Sequence, residues 1–169
     1  MTTAEPVIRT AVAADLPELQ RVFAAAALSN VADAPLLLAH PEFLVFAGDG
    51  IAEGRTRLAA AGRPDDNRVL GFATVATGED GGLDLEDLFV DPECRRRGIA
   101  RRLIADAVST ARAAGHQVLT VTGNPHALAF YLAVGFVEIG HTETELGAGP
   151  RLRLDLRQIV VNRVPTSAQ

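Results

Sequence analysis

The sequence comprises 169 residues, of which 48% are hydrophobic and 22% are charged, with a formal net charge of −5. These values predict one folded domain and exclude disordered and fibrous proteins. The negative charge also argues against a general nucleic-acid-binding protein, because such proteins need an excess of cations to displace the counterions of phosphates.

The first part of the chain predicts a strand followed by helices. Val7–Thr10 predicts a short strand, and Asp15 is expected to cap a helix that begins at Leu16. Residues 34–46 have apolar side chains at helical spacing, but Pro41 lies within the pattern. Because proline interrupts a helix, a broken or bent helical region is expected there.

The central part predicts three strands. Thr56–Ala60 and Val69–Thr77 are apolar, β-branched segments separated by turn-forming residues, and they predict an antiparallel hairpin. Leu83–Val90 predicts a third, partly acidic strand. Regular alternation along it would place two sets of side chains on opposite faces. One set is Asp84, Glu86, Leu88 and Val90, and the other is Leu85, Asp87 and Phe89.

The last part alternates helices and strands. Residues 99–114 predict a helix, and Val118–Thr122 predicts a strand. Asn124, followed by a proline, is expected to cap another helix, and residues 136–140 and 151–157 predict the closing strands. Together these elements predict a mixed α/β sheet with several antiparallel neighbours and one crossover helix.

A basic glycine loop between the acidic strand and the next helix predicts an anion site. Backbone N–H groups in the first turn of a helix lack intrahelical acceptors, so they can hold a phosphate, and Gly98 permits its close approach. The chain contains no lysine and no Gly-x-Gly-x-x-Gly run, which excludes a Walker A loop and a dinucleotide fingerprint. The basic residues clustered here are Arg95, Arg96, Arg97, Arg101 and Arg102.

Two motifs follow each other in the second half of the chain. The first is Arg95-Arg96-Arg97-Gly98-Ile99-Ala100, and the second is a segment that begins at Asn124 and carries Tyr131, Gly135 and Phe136. The first resembles the pyrophosphate loop of the GCN5-related N-acetyltransferases (GNAT family), Gln/Arg-x-x-Gly-x-Gly/Ala. The second is similar to the Asn, helix, Tyr-x-x-x-Gly-Phe run of the same family.

The resemblance implies an α/β (α+β) fold, with a mixed, largely antiparallel sheet of about six to seven strands flanked by about four helices. The lack of repeats and linkers predicts one domain over residues 1–169 with a loose tail at residues 165–169, and the resemblance implies that the acetyltransferase part covers residues 7–157. Residues 29–54 carry no family motif, and we expect them to shape the acceptor pocket.

The resemblance also implies a binding site for acetyl-CoA as co-substrate. Backbone groups of Leu88, Phe89 and Val90 would receive the acetyl and pantetheine end, and one of their N–H groups would polarise the thioester carbonyl. Asn124 would lie near the pantetheine or the sulfur. The pyrophosphate would be bound by the amides of Arg95, Arg96, Arg97, Gly98, Ile99, Ala100 and Arg101.

Acetyl transfer to an amine gains from a positioned base and a positioned acid. In related sequences an acidic residue of this strand serves as the base, directly or through water, and Glu86 is the first candidate because alternation places it on the face of Leu88. Asp84 shares that face, Asp87 points to the other face, and a chain of water molecules is a further alternative. Tyr131, as the resemblance implies, would protonate the leaving CoA thiolate.

The sequence therefore predicts an acetyl-CoA-dependent N-acetyltransferase, acting by direct attack of an amine in a ternary complex. A non-catalytic acyl-CoA-binding or regulatory module is the alternative. The acceptor stays open among small amines, antibiotics, peptide N-termini and lysine side chains, and an O-acyl acceptor also remains open. A homodimer formed by edge pairing of the alternating final strand is a further expectation that the sequence leaves open.

The compartment follows from the cysteine content. The chain has one cysteine, Cys94, which excludes an intrachain disulfide and favours a reducing compartment, so a cytoplasmic protein is expected. The longest apolar stretches are far shorter than the roughly 20 residues that span a bilayer, so membrane insertion is not expected. The histidines lack the close pairing that metal ligation favours, and no metal site is expected.

Overall fold

A seven-stranded sheet organises the chain in the computed structural model, which describes residues 4–63, 65–78 and 80–157. Its order is β1-β2-β3-β4-β5-β7-β6, and β4 and β5 run parallel while the other described neighbours run antiparallel. The expected mixed, largely antiparallel sheet is confirmed, and residues 165–169 lie outside the described part. The strands are β1 (Val7–Thr10), β2 (Thr56–Ala60), β3 (Val69–Thr77), β4 (Leu83–Val90), β5 (Val118–Thr122), β6 (Val137–Thr144) and β7 (Gly147–Asp155).

Five α-helices flank the sheet within the described residues, against an expectation of about four. The interruption expected in residues 34–46 is confirmed, because a helix ends at Ala39 and a 3-10 turn follows at Pro41–Leu44. The helices are α1 (Leu16–Leu28), α2 (Ala34–Ala39), α3 (Asp49–Ala52), α4 (Ile99–Ala113) and α5 (Leu128–Ala133).

The helix cap expected at Asp15 is wrong. Its carboxylate accepts hydrogen bonds from the N–H of Val12 at 2.8 Å and from the guanidinium of Arg9 at 2.7 and 2.8 Å. Both carboxylate oxygens are thereby directed towards the end of β1. Asp15 closes the turn before α1 instead of capping the helix.

Apolar clusters cover both faces of the sheet. The larger cluster packs α4 and α5 on the sheet and includes Leu103 and Tyr131. The smaller cluster packs α1 on the sheet and includes Leu19 and the aromatic ring of Phe72. Adjacent residues of one strand belong to different clusters, as side chains of a strand alternate between two faces.

The regular alternation expected along β4 fails at Glu86. The pairing register of β3 with β4 shifts at this position, so Glu86 is an extra residue in a β-bulge. Leu85 therefore packs in the same cluster as Leu88 instead of on the opposite face. The expectation that Asp84 shares a face with Leu88 is wrong, because the bulge inverts the alternation. Glu86, the extra residue of the bulge, is exposed.

The final strand is an interior strand of the sheet. Its expected alternation is confirmed, since Leu152, Leu154 and Leu156 are buried. However, β7 pairs with β5 on one side and with β6 on the other, so the expected edge pairing of this strand is wrong. The edge strand on this side of the sheet is β6, and all of its residues are exposed. A dimer formed by edge pairing on this side would use β6.

Two features are absent from the described residues. None of their helices combines the length and the hydrophobicity needed to cross a membrane. No group of three or more His, Cys, Asp or Glu side chains comes close enough together there to hold a metal ion.

Candidate active site

A cavity of about 820 Å³ opens where β4 and β5 separate. The two strands pair from Leu83 with Leu119 to Leu85 with Val121, and beyond this point they diverge. One side of the cavity, here called the loop wall, is formed within residues 88–90, 94–101 and 122–131. A second part of the lining, the helical wall, is formed within residues 23–43, and the hairpin tip at residues 144–149 completes the lining.

The cavity brings together most of the binding residues expected from the sequence. Arg97 does not line it, and neither does Glu86. The individual residues of the helical wall and the hairpin tip were not identified from the sequence, because no motif marks them. The expected residues that line the cavity are Leu88, Phe89, Val90, Arg95, Arg96, Gly98, Ile99, Ala100, Arg101, Asn124 and Tyr131.

The basic loop has a backbone conformation suited to an anion. Gly98 has φ 74° and Arg96 has φ 61°, so the chain enters the left-handed region twice before α4 begins at Ile99. The first-turn N–H groups of α4 lie at the positive end of the helix dipole and have no intrahelical acceptors. Arg95 donates a hydrogen bond to the Ser29 hydroxyl at the end of α1. The loop can therefore hold phosphate groups through its amides, with arginines beside them.

Asp91 fixes the end of β4. Its side chain is 3% exposed and accepts hydrogen bonds from Arg21 at 2.8 Å, Arg68 at 3.0 Å and the N–H of Glu93 at 3.0 Å. Burial alone would raise the pKa of Asp91, but these donors outweigh it and lower the pKa to about 2. The ionised carboxylate joins β4 to α1, the helix that carries Phe23 of the helical wall.

Tyr131 lies in the loop wall with its ring buried. The ring packs against Phe130 and Phe136, with centroids 5.4 and 5.3 Å away. A Cβ atom at Gly123 would lie 3.1 Å from the ring, so glycine allows this close approach. Burial raises the pKa of Tyr131 to about 12, which keeps the hydroxyl protonated at neutral pH. No described residue forms a hydrogen bond with this hydroxyl, and Tyr131 is one of the residues that line the cavity.

Asn124 caps the turn that leads into α5. Its Oδ1 accepts a hydrogen bond from the N–H of Ala127 at 2.9 Å, which confirms the expected cap. The chain first forms a 3-10 turn at Pro125–Ala127 and then enters α5. The side-chain oxygen is therefore committed to the backbone, and its Nδ2 is the group that can donate to a ligand.

The acidic side chains of β4 lie outside the cavity lining. Glu86 is exposed and accepts a hydrogen bond from Arg55 at 3.1 Å. Asp84 accepts one from Arg151 at 2.8 Å. Burial raises the pKa of Asp87 above its ordinary value. Glu86 and Asp84 are thus paired with arginine. Asp87 differs from them because burial raises its pKa towards neutral pH.

The family model described as an acetyltransferase (GNAT) domain matches residues 49–148 of this chain. This range includes the strands β3 to β5, the basic loop and the segment with Asn124 and Tyr131. None of the curated protein sequences compared with the chain matches it.

Several solved structures are similar in fold. A protein of Rhodopseudomonas palustris, described as a GCN5-related N-acetyltransferase and class-II aminotransferase, has a TM-score of 0.68 at 21% identity, covering 92% of this chain and 98% of that chain. PaiA N-acetyltransferase of Thermoplasma acidophilum, solved in complex with coenzyme A, has a TM-score of 0.66 at 16% identity, covering 92% and 99%. An N-acetyltransferase of Staphylococcus aureus has a TM-score of 0.65 at 18% identity, covering 90% and 99%. At these identities the likeness shows the fold alone.

Proposed function

Because this chain belongs to the GNAT family of acetyltransferases, we propose that it transfers an acetyl group from acetyl-CoA to an amine. The amine would attack the thioester directly within a ternary complex. The observation that supports this proposal is the cavity at the separation of β4 and β5, because both the basic loop before α4 and Tyr131 line it.

The groups of the loop wall support the proposed binding of acetyl-CoA. The amides of residues 95–101, with Arg96 and Arg101 beside them, suit a pyrophosphate. Beyond Leu85 the edge of β4 is released from β5, so backbone groups of residues 88–90 can pair with the amides of a pantetheine chain. One N–H of this segment would also polarise the thioester carbonyl. The group supplied by acetyl-CoA is an activated acetyl thioester.

Proton transfer at the sulfur is proposed for Tyr131. Carbon–sulfur cleavage leaves a thiolate, which requires a proton donor that is still protonated at neutral pH. Tyr131 lines the cavity and forms no hydrogen bond through its hydroxyl with the described residues, and this position supports the role. Burial raises its pKa to about 12, which makes the hydroxyl a weaker acid, so the proposal rests on the position of Tyr131 and not on its pKa. The tyrosinate formed would regain its proton from solvent.

Removal of the amine proton is proposed for Glu86, acting through water. Glu86 does not line the cavity, so direct contact with the amine is not part of this proposal. Asp87 is the competing candidate, because burial raises its pKa. We expect Glu86→Gln to lower kcat and leave the KM for acetyl-CoA unchanged. A loss of kcat in Asp87→Asn, with none in Glu86→Gln, would assign the role to Asp87.

The test of the function is a titration with acetyl-CoA followed by an assay of CoA-thiol release over a panel of amines. Binding together with release for at least one amine is the expected result. Binding without release for every amine would instead favour a non-catalytic acyl-CoA-binding module. The pairing of Glu86 with Arg55, away from the cavity, is the observation that favours that alternative.

A further inference from the structure

Two carboxylates line the cavity within the described part of the chain, and neither belongs to β4. Asp33 lies in the helical wall between α1 and α2, and Glu145 lies at the hairpin tip. Glu145 is exposed, so solvent screens its charge, whereas the Asp33 side chain is 23% exposed. A cation in the cavity is therefore attracted most strongly at Asp33.

One oxygen of the Asp33 carboxylate is hydrogen-bonded to a described residue, and the other is not. Its Oδ2 accepts a hydrogen bond from Nδ2 of Asn30 at 2.6 Å and lies 3.7 Å from Nε2 of His126 on the loop wall. Its Oδ1 has no hydrogen-bond partner among the described residues. This oxygen can accept an N–H from an ammonium group without breaking an existing bond. Hydrogen bonds between two ionised groups are among the stronger ones in proteins.

The helical wall also contains apolar side chains. Phe23, Leu37 and Phe43 line the same wall. The ring of Phe23 packs edge-on against Phe89 of β4 at 4.8 Å, so the apolar surface continues to the strand proposed for the acetyl group. Such a surface favours an apolar ligand body. A second ammonium group on this wall would lose its water without gaining another partly buried carboxylate.

We propose that Asp33 binds the ammonium group of the acceptor, and that the acceptor is a primary amine carried on an apolar aryl or alkyl body. This inference rests on the proposed function for the reaction that follows, but the binding step does not require turnover. Of the basic groups of the loop wall, Arg95 is held by the Ser29 hydroxyl and His126 lies 3.7 Å from Oδ2 of Asp33, so the ammonium group would bind at Oδ1. Asp33 thus selects monoamines over neutral molecules of the same shape and over polyamines.

The test is calorimetric titration of the CoA-loaded full-length protein with 2-phenylethylammonium, 2-phenylethanol and spermidine. We expect the ammonium to bind about tenfold more tightly than the alcohol, as one charge-assisted hydrogen bond provides, and spermidine to bind more weakly than 2-phenylethylammonium. Asp33→Asn should abolish the preference for the ammonium and leave the CoA affinity unchanged. The matched control is Asp66→Asn, which removes a carboxylate in the turn between β2 and β3 and should keep the preference.

Equal binding of the ammonium and the alcohol to the wild type would overturn the inference, and so would a preference that survives in Asp33→Asn. The wild-type comparison stands even if the variant fails to fold, because it needs no substitution. If the preference is found but no amine promotes CoA-thiol release, the proposed function fails and the binding site stands. If release occurs without the preference, the function stands and the role of Asp33 fails.

Discussion

The two walls of the cavity are built in different ways. The loop wall depends on one continuous backbone segment, in which the left-handed residues Arg96 and Gly98 lead into the amides of α4. The helical wall depends on side chains such as Phe23, Asp33 and Phe43, which come from separate helices and turns. A backbone site tolerates many side chains, whereas a side-chain site changes its ligand when one residue changes. The first arrangement suits a ligand shared by a family, and the second suits an acceptor particular to one protein.

The largest expected effect tests whether the loop wall takes part in chemistry as well as in binding. Tyr131→Phe removes the hydroxyl and keeps the ring that packs on Phe130 and Phe136. We expect kcat to fall about 100-fold, the lower range for loss of a general acid. Steady-state kinetics and acetyl-CoA titration measure the two quantities separately. An unchanged kcat would remove Tyr131 from proton transfer and leave the loop wall as a binding surface.

A smaller effect is expected at Asp91, which joins the two walls. Because the folded pKa is about 2 and the ordinary value is 3.8, Asp91 stabilises the fold above pH 3.8, and this contribution is lost as the pH falls towards 2. By linkage it amounts to about 2 kcal/mol at neutral pH. Asp91→Asn should lower the free energy of unfolding by about that amount in urea at pH 7, and the difference from wild type should shrink below pH 4.

The control for Asp91 lies in the same network. Glu93 pairs with Arg68, but its side chain is 76% exposed. Glu93→Gln should change the free energy of unfolding by less than about 1 kcal/mol, as exposed ion pairs do. Equal effects of the two substitutions would show that burial at Asp91 does not strengthen the join between the walls.

The smallest expected effect tests the backbone character of the loop wall. A Cβ at Gly98 meets no atom within 4 Å, so the cost of Gly98→Ala comes from its φ of 74° and not from a clash. A left-handed alanine costs about 1–2 kcal/mol. We expect the free loop of the variant to relax out of this conformation, so that binding has to restore it and the acetyl-CoA affinity falls about tenfold by calorimetry. Arg97→Ala, at a loop position outside the cavity lining, should change it less. A stronger effect at Arg97 would mean that side-chain charge, and not backbone, holds the phosphates.

The elements that depend on a few neighbouring residues could be predicted from the sequence. Helix and strand boundaries near Pro41 and Asn124 were predicted because each reflects the chemistry of a few neighbouring residues. The bulge at Glu86 was missed, because it arises from the register between β3 and β4. The interior position of β7 was missed for the same reason, since strand order is decided by pairing and not by the alternation of one strand.

The candidate site also contains residues that local motifs predict and residues that only the packing of distant elements brings into place. The residues of the loop wall were named from the sequence because Gly98 and Tyr131 belong to recognisable motifs. Asp33 could not be named, since its place in the cavity depends on how α1 and α2 pack beside the sheet. One signal was available: a carboxylate in a stretch without a motif, in the part of the chain expected to shape the acceptor pocket.

The position of Tyr131 has a spectroscopic consequence. The chain contains one tyrosine and no tryptophan, so its intrinsic aromatic fluorescence comes almost entirely from this ring. Because Tyr131 is 6% exposed and lines the cavity, emission from the unlabelled protein reports on a single point beside the proposed reaction centre. The molecule therefore carries its own optical reporter, free of background from any second tyrosine.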